Sequence, residues 1–339
     1  MKRVTIHDIA KQAEVSIATV SRVLNNNPRV EPKTAARVRR VIARTGYIPD
    51  NIARGMRSRQ SWAVGYIVSD ISNVHFTFAS KALEETLAAV GYSLIVCSTD
   101  GDSDREKQYL QLMLAKKIDG LVINVSGHND DYIAELSQKL PIVLQSRKIR
   151  SSAFQGDFVG SDAYQGAYEL GRYVLAMGHR RIGLIRGPEN VSTGHERYSG
   201  FMTALREANV ELSEDSIFHG DYYEHSGHDG AAFLLNAPCP PTILVSMNNT
   251  MGLGVLAYLK DHGYRVPEDV SCASFGNIAN RNLLYVTPAA IGEKPEEEGK
   301  LAGETILRRI ADPGATPVTA LVPGQLFPGN SILDLRERA

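Results

Sequence analysis

The chain has 339 residues, 43% hydrophobic and 22% charged, which allows two or three structural units, and nowhere does it hold the roughly eighteen consecutive apolar residues of a membrane-crossing helix. Its three cysteines, at 97, 239 and 272, are odd in number and far apart, which argues against a disulfide framework or a zinc site and fits a reducing cytosol. The net charge of −1 conceals a split: residues 1–60 carry 13 basic and 4 acidic side chains, and the remaining 279 carry 24 basic and 34 acidic, so a head of net +9 precedes a body of net −10. Such a division points to a polyanion-binding head.

The start, Met1-Lys2-Arg3, runs into patterned sequence without the apolar core of a signal peptide. Thr5 can cap a first helix, with Asp8 three positions on, and Ile6, Ile9, Ala10 and Ala13 fall on one face. Glu14-Val15-Ser16 is a polar break, and Ser16 is a second cap. In the next helix, 17–25, Thr19, Val20, Val23 and Leu24 share one side, while Ile17, Ala18, Ser21, Arg22 and Asn25 occupy the other. Helix, three-residue turn and second short helix is the spacing of a helix-turn-helix. Its second helix fits a major groove about 12 Å wide, where Arg22 can fork onto guanine and Ile17 and Ala18 can meet thymine methyls. A third helix is expected from Pro32 to about Thr45, stopped by Gly46, with Ala35, Val38, Val41 and Ile42 inward and Arg37, Arg39, Arg40 and Arg44 outward.

The phrases Val4-Thr-Ile-His-Asp-Ile-Ala10, Val15-Ser-Ile-Ala-Thr-Val-Ser-Arg-Val-Leu-Asn25 and Gly46-Tyr-Ile-Pro49 resemble the head of the LacI/GalR (lactose-repressor) family. In that family, positions like Ile17, Ala18 and Arg22 read the operator half-site. The expected DNA-binding set is Thr5, Ser16, Ile17, Ala18, Thr19, Ser21, Arg22 and Asn25 in the head, joined by Asn51, Ala53 and Met56 in the segment that follows. Within the hinge, 47–61, the stretch 50–61 is basic and spans too few turns to be a stable helix alone. It resembles the family's hinge helix, in which Met56 takes the place of an apolar minor-groove wedge.

From Trp62 onward, β-branched runs alternate with helical stretches. Strands are expected at 63–68, 93–97, 120–125 and 142–144, then again at 182–185, 217–220, 242–245 and 270–273. Helices are expected at 78–90, 104–116, 164–177, 200–208 and 251–262. Two βα series of similar layout predict an α/β fold of two doubly wound parallel-sheet lobes. The resemblance extends over this region too, implying a core like periplasmic sugar-binding proteins. The expected division is a head at 1–46, a hinge at 47–61 and a core at 62–339. Lobe 1 takes about 62–160 and 291–322, and lobe 2 about 161–290 and 323–339.

Ligands of such sheets sit at the carboxyl ends of strands, here between the lobes. Strand ends and the family pattern together nominate Asp70, Asn73, His75, Phe76, Arg147, Thr193, Arg197, Tyr222, Asn248 and Asn277 as effector-binding residues. An arginine fork, amides and aromatic faces suit a polyol or sugar ring. Three departures stand beside this: Phe275-Gly276-Asn277, Asn248-Asn249 and Gln145-Ser146-Arg147 replace acids common in relatives. They predict a less negative pocket with room for an anionic effector.

His225-Ser-Gly-His228 with Asp221 and Asp229 lacks a compact ligand set, so no metal is expected. Gly252-Leu-Gly254 lies in a helical run without a preceding strand-turn and reads as helix packing, not dinucleotide binding. No catalytic residue set is assigned and no cofactor is expected beyond the effector. A transport solute-binding protein would have the same core but be exported and lack a basic head, and a sugar enzyme would need an acid–base pair in the cleft. The sequence therefore points to a cytoplasmic transcriptional regulator, not an enzyme, nucleoid-associated when on its operator. It is expected to act as a homodimer on a near-palindromic DNA operator, away from membranes, and the absence of leucine heptads at the end predicts no tetramerising tail.

Overall fold

The structure is a computed structural model of the 339-residue chain, and it describes residues 4–24, 27–47, 60–278 and 280–338. The chain divides into two compact units, 1–61 and 62–339.

In the first unit, α1 (Ile6–Gln12), α2 (Ile17–Leu24) and α3 (Pro32–Thr45) enclose a small core of Ile9, Ala10, Ala13, Val20, Val23, Val38 and Val41. Thr5 closes a capping box on α1: its hydroxyl accepts from the Asp8 amide at 3.3 Å, and Asp8 Oδ2 accepts from the Thr5 amide at 2.9 Å. Ser16 caps α2 in the same sense, accepting from the Thr19 amide at 3.1 Å. α3 starts with Pro32 in its first turn and stops at Gly46, whose φ of 61° a side chain would strain. Arg44 of α3 donates to Gln12 Oε1 at 2.9 Å, tying the third helix to the first.

The second unit holds two six-stranded sheets. Sheet 1 orders its strands β11-β5-β4-β3-β1-β2, all parallel: β1 (Ala63–Val68), β2 (Ser93–Ser98), β3 (Gly120–Ile123), β4 (Ile142–Gln145), β5 (Asp157–Ser161) and β11 (Thr319–Val322). Sheet 2 repeats the plan as β12-β10-β9-β8-β6-β7, with β6 (Ile182–Arg186), β7 (Ile217–His219), β8 (Ile243–Ser246), β9 (Ser271–Phe275), β10 (Ala289–Gly292) and β12 (Gln325–Phe327). Only β12 runs antiparallel. The sequence-expected strands match eight of these, but β5, β10, β11 and β12 carried no signal. β10 reads Ala-Ala-Ile-Gly, β5 contains Asp157 and Gly160, and β11 and β12 are short, so β propensity and alternation are both weak there.

Helices between the strands are α4 (Val74–Ala88), α5 (Ser103–Ala115), α6 (Asp130–Ser137), α7 (Ala163–Ala176), α8 (Ser192–Glu207), α9 (Glu224–Leu235), α10 (Asn249–Asp261) and α11 (Pro295–Ala311). α8 begins eight residues earlier than the periodicity at 200–208 suggested, because its first turns carry Thr193 and Arg197 inward instead of aliphatic side chains. The chain passes between lobes after β5, after β10 and after β11. α11 returns to lobe 1 and packs along α4, where Gly299 lies so near that an added Cβ would sit 2.2 Å from the Ala79 carbonyl oxygen. Asp157, fully buried at the start of β5, anchors the far end of α11 through Arg309 at 2.8 and 2.9 Å and Arg308 at 2.7 Å. The pair Gly252 and Gly254 permits close packing of α10: a Cβ at Gly254 would lie 1.9 Å from the Glu224 carbonyl oxygen of α9.

Candidate effector cavity and DNA-facing helix

In both sheets the strand order reverses beside the first strand of the lobe, β1 or β6, and loops diverging at that point leave a crevice at the strands' carboxyl ends. The two crevices face each other and enclose a cavity of about 280 Å³. Polar contacts cross its rim: the Asn249 amide donates to Asn73 Oδ1 at 3.1 Å, Lys148 pairs with Glu196 at 2.8 Å, and Asn190 donates to the Ser126 carbonyl at 3.2 Å.

Nine of the ten sequence-nominated residues line this cavity: Asp70, Asn73, His75 and Phe76 after β1, Arg147 after β4, Thr193 and Arg197 after β6, Tyr222 after β7 and Asn248 after β8. Asn73 caps α4 by accepting from the His75 amide at 3.0 Å, which presents His75 and Phe76 in the first helical turn. Asn248 caps α10 by accepting from the Met251 amide at 2.8 Å, and its own amide donates to the Tyr222 carbonyl at 2.9 Å. That bond holds Tyr222 at a φ of 77°, and Gly187 makes room for the ring, which would lie 2.2 Å from a Cβ there. Ser146, at φ 60°, turns the chain sharply after β4 so that Arg147 points into the cavity. With Asp100 at φ 53°, three non-glycine residues in left-handed conformations line one cavity and mark it as a functional place.

Asn277 is the exception. It lines a neighbouring cavity of about 90 Å³, and its amide donates to the Glu293 carbonyl at 2.7 Å, so it positions Glu293 instead of facing the main cavity.

The two arginines differ. Arg197 is buried: its Nη1 donates to the Met247 carbonyl at 2.8 Å and its Nη2 to Glu293 Oε1 at 2.9 Å, its Nε has no hydrogen-bond partner, and the guanidinium stacks 3.9 Å over the Phe275 ring. Arg147 is half-buried and donates to the Val125 carbonyl at 3.0 Å. Burial, with help from nearby Arg197, lowers its pKa, while Tyr222 and Glu106 oppose that.

The replaced acids do not leave the cavity without carboxylates. Asp70, Asp100, Asp221 and Glu293 all line the cavity, four carboxylates against two guanidinium groups. Glu293, the residue that the sequence reading missed, follows the unrecognised β10 and takes up the charge of Arg197. Burial opposes the charge of Glu293, but Arg197, His75 and the Ser161 hydroxyl outweigh it and hold its carboxyl below the usual range. Asp100 pairs with Arg105, and Asp221 with His225 at 2.9 Å. Asn124, Ser126, Asn190, Tyr223 and Asn249 also line the cavity and were missed; the first four lie on loops past the ends of β3, β6 and β7, and Asn249 is the first residue of α10. His225 and His228 lie in the first two turns of α9. Among the described residues no cluster of three His, Cys, Asp or Glu side chains is placed to hold a metal.

In the head, Ala18 and Arg22 are exposed on one side of α2, opposite buried Val20 and Val23; Thr5 and Ser16 are exposed beside them. Ile17 is half-buried against the head core, so it presents only part of its side chain and is not the fully exposed residue its position suggested. Thr19 and Ser21 are half-buried. Asn25, Asn51, Ala53 and Met56 lie outside the described residues.

Comparison with known proteins follows the same division. Residues 5–50 match the family model of bacterial regulatory proteins of the lacI family, and residues 61–328 match that of periplasmic binding proteins and the sugar-binding domain of the LacI family. The chain is 32% identical over 334 residues to the HTH-type transcriptional repressor PurR of Photorhabdus laumondii, covering 97% of both chains. The lac repressor dimer bound to operator and the anti-inducer ONPF has a similar fold, with a TM-score of 0.84 at 22% identity over 98% of this chain and 100% of that one. A complex of the transcriptional regulator CelR with cellobiose aligns with a TM-score of 0.72 at 25% identity, covering 97% and 100%.

Proposed function

The chain belongs to the LacI family of bacterial regulatory proteins, and from that premise we propose that its core cavity binds a small polyhydroxylated effector, a sugar or sugar derivative. The protein is a DNA-binding transcriptional repressor, not an enzyme, and a small molecule bound in the core controls its hold on DNA. As such it is a cytoplasmic protein; residence on the nucleoid while operator-bound is part of the proposal.

The cavity lining carries the polyol reading. Four carboxylates and the amides of Asn73, Asn124, Asn190 and Asn248 offer acceptors for several hydroxyls at once, and Phe76 and Tyr222 offer flat faces for a ring. A single bound anion would meet Arg147 but also four carboxylates. At about 280 Å³ the space suits a ligand of monosaccharide size. The effector set is therefore Asp70, Asn73, His75, Phe76, Arg147, Thr193, Arg197, Tyr222 and Asn248, with Glu293 added.

The DNA side follows from α2. Arg22 and Ala18 face outward at helical spacing and meet base edges, with Thr5 and Ser16 close to the backbone. The operator complex of the lac repressor dimer supports a homodimer here, placing two heads on a near-palindromic site. The free edge strand β2 of sheet 1, with Val96 exposed, is a surface such a dimer can cover. Asn51, Ala53 and Met56 then meet the minor groove, and Met56 wedges a base step.

Thermal denaturation of the full chain against neutral sugars, sugar acids, sugar phosphates and nucleobases tests the effector. A ligand at a hundred times its dissociation constant adds about 2.7 kcal/mol. Stabilisation by a neutral polyol is expected, and stabilisation by anions alone contradicts the reading.

A further inference from the structure

Behind the cavity lies a chain of ionisable groups that effector contacts alone do not require. Glu298 of α11 is fully buried, with Oε2 at 3.6 Å from His75 Nε2 and 3.3 Å from the Ser146 hydroxyl, and its Oε1 has no hydrogen-bond partner. On its other side the His75 ring places Nδ1 3.6 Å from Glu293 Oε2, and Glu293 leads on to Arg197. His75, Ser146, Glu293 and Arg197 all line the effector cavity, and Glu298 does not.

Charge counting fixes what this row holds. Glu293 and Arg197 cancel. An ionised Glu298 adds a further negative charge to the interior, which burial strongly disfavours. A proton on Glu298 removes it. Burial raises the Glu298 carboxyl to about 7; the charge of Glu293 adds to the rise, and His75 and the Ser146 hydrogen bond resist it. The other groups facing Glu298 are Arg197 of α8 and the buried Tyr66 hydroxyl of β1. On β5, Asp157 is already held by Arg308 and Arg309; Lys81, Glu84 and Glu85 of α4 are exposed, as are Glu296 and Glu297 of α11. The neighbouring 90 Å³ cavity shares His75 and Glu293 with the main one and is also lined by exposed Phe78 and Glu296.

We propose that Glu298, positioned by His75 and Ser146, holds one exchangeable proton behind the effector cavity, so that effector binds with proton uptake and its affinity falls as pH rises. This rests on the cavity being the effector site. The coupling runs through Ser146: a ligand hydroxyl that takes over the Ser146 Oγ–H withdraws a donor from Glu298 Oε2, and the carboxyl then holds its proton more firmly. By linkage, a protonated Glu298 favours the ligand equally.

The test needs no ligand. The full chain carrying 13C at glutamate Cδ is titrated by NMR from pH 5 to 9 as wild type, Glu298→Gln, Ser146→Ala and His75→Asn, with Glu296→Gln as the neighbouring exposed control. One carboxyl midpoint near 7 is expected, lost in Glu298→Gln and kept in Glu296→Gln. Ser146→Ala, a small change that leaves His75 in place, raises that midpoint by roughly 0.5 pH unit, and His75→Asn raises it too. Should Glu298→Gln fail to fold, a common response to the other two variants identifies the signal. All glutamates titrating by pH 6, or a near-neutral signal that survives in Glu298→Gln, overturns the proton site. An unmoved midpoint in Ser146→Ala overturns its link to the cavity. Neither result depends on which effector binds, so failure of the effector reading shows separately, as a core that no ligand stabilises.

Discussion

Arg197, on the second turn of the lobe 2 helix α8, and Glu293, on the crossover back to lobe 1, form an ion pair at 2.9 Å with both side chains less than a tenth exposed. The pair is structural glue and cavity floor at once. The Ser161 hydroxyl at the end of β5 donates to the same Glu293 oxygen at 2.9 Å and ties the pair to sheet 1, at one of the three points where the chain changes lobe.

Removing one partner of such a pair strands the other. Glu293→Gln leaves a buried guanidinium uncompensated and is expected to destabilise the core by about 3–5 kcal/mol in urea denaturation. Combining it with Arg197→Met should recover part of that loss, because no lone charge remains. A single-mutant cost below about 1 kcal/mol contradicts the buried-pair description.

The stability of the core should depend on pH through Glu298. Its folded value of about 7 stands above the ordinary glutamate value of 4.5, so the folded state binds the proton more tightly than the unfolded chain. The stability from this group is fully present below about 4.5 and is lost as pH rises through 7. Glu298→Gln cannot lose a proton there, and relative to wild type it should gain about 2–3 kcal/mol between pH 5 and pH 8. Parallel stability curves for the two proteins contradict this.

Thiol accessibility reads the packing of both sheets. Burial pushes the Cys272 thiol up to about 12, and it raises that of half-buried Cys97 less, while Cys239 is exposed. Native protein mixed with a thiol reagent is expected to react quickly at Cys239, slowly at Cys97, and at Cys272 only on unfolding. Rapid labelling of Cys272 in the native state would mean that β9 is not the interior strand described.

The head was legible almost residue by residue, since its three helices are specified locally by Thr5, Ser16, Pro32 and Gly46 and by apolar spacing. Ile17 misled because a short helix packs more than the inward half of its circumference, and a three-helix core this small recruits the flank as well. In the core, strand ends marked the cavity because the parallel topology puts every loop of interest on one side of a sheet. Glu293 was hidden by what precedes it: Ala-Ala-Ile-Gly is a strand only because β9 and β12 pair with it. Glu298 escaped for a different reason. It sits in a helix start, Pro-Glu-Glu-Glu, that reads as a solvated acidic turn, and only the packing of α11 on α4 sends the third acid inward while Glu296 and Glu297 stay in water. Judging the pocket by replaced acids alone thus missed acids supplied from elsewhere in the chain.

Selection of bound duplexes from random DNA by the full chain, followed by sequencing, tests the central claim most directly, with Arg22→Ala run in parallel. A near-palindromic motif of two half-sites is expected for the wild type, and Arg22→Ala should weaken binding by about 1–3 kcal/mol per half-site and relax preference at one base position. Recovery of no motif, or of the same motif with the same strength from the variant, contradicts the assignment of α2 as the helix that reads DNA.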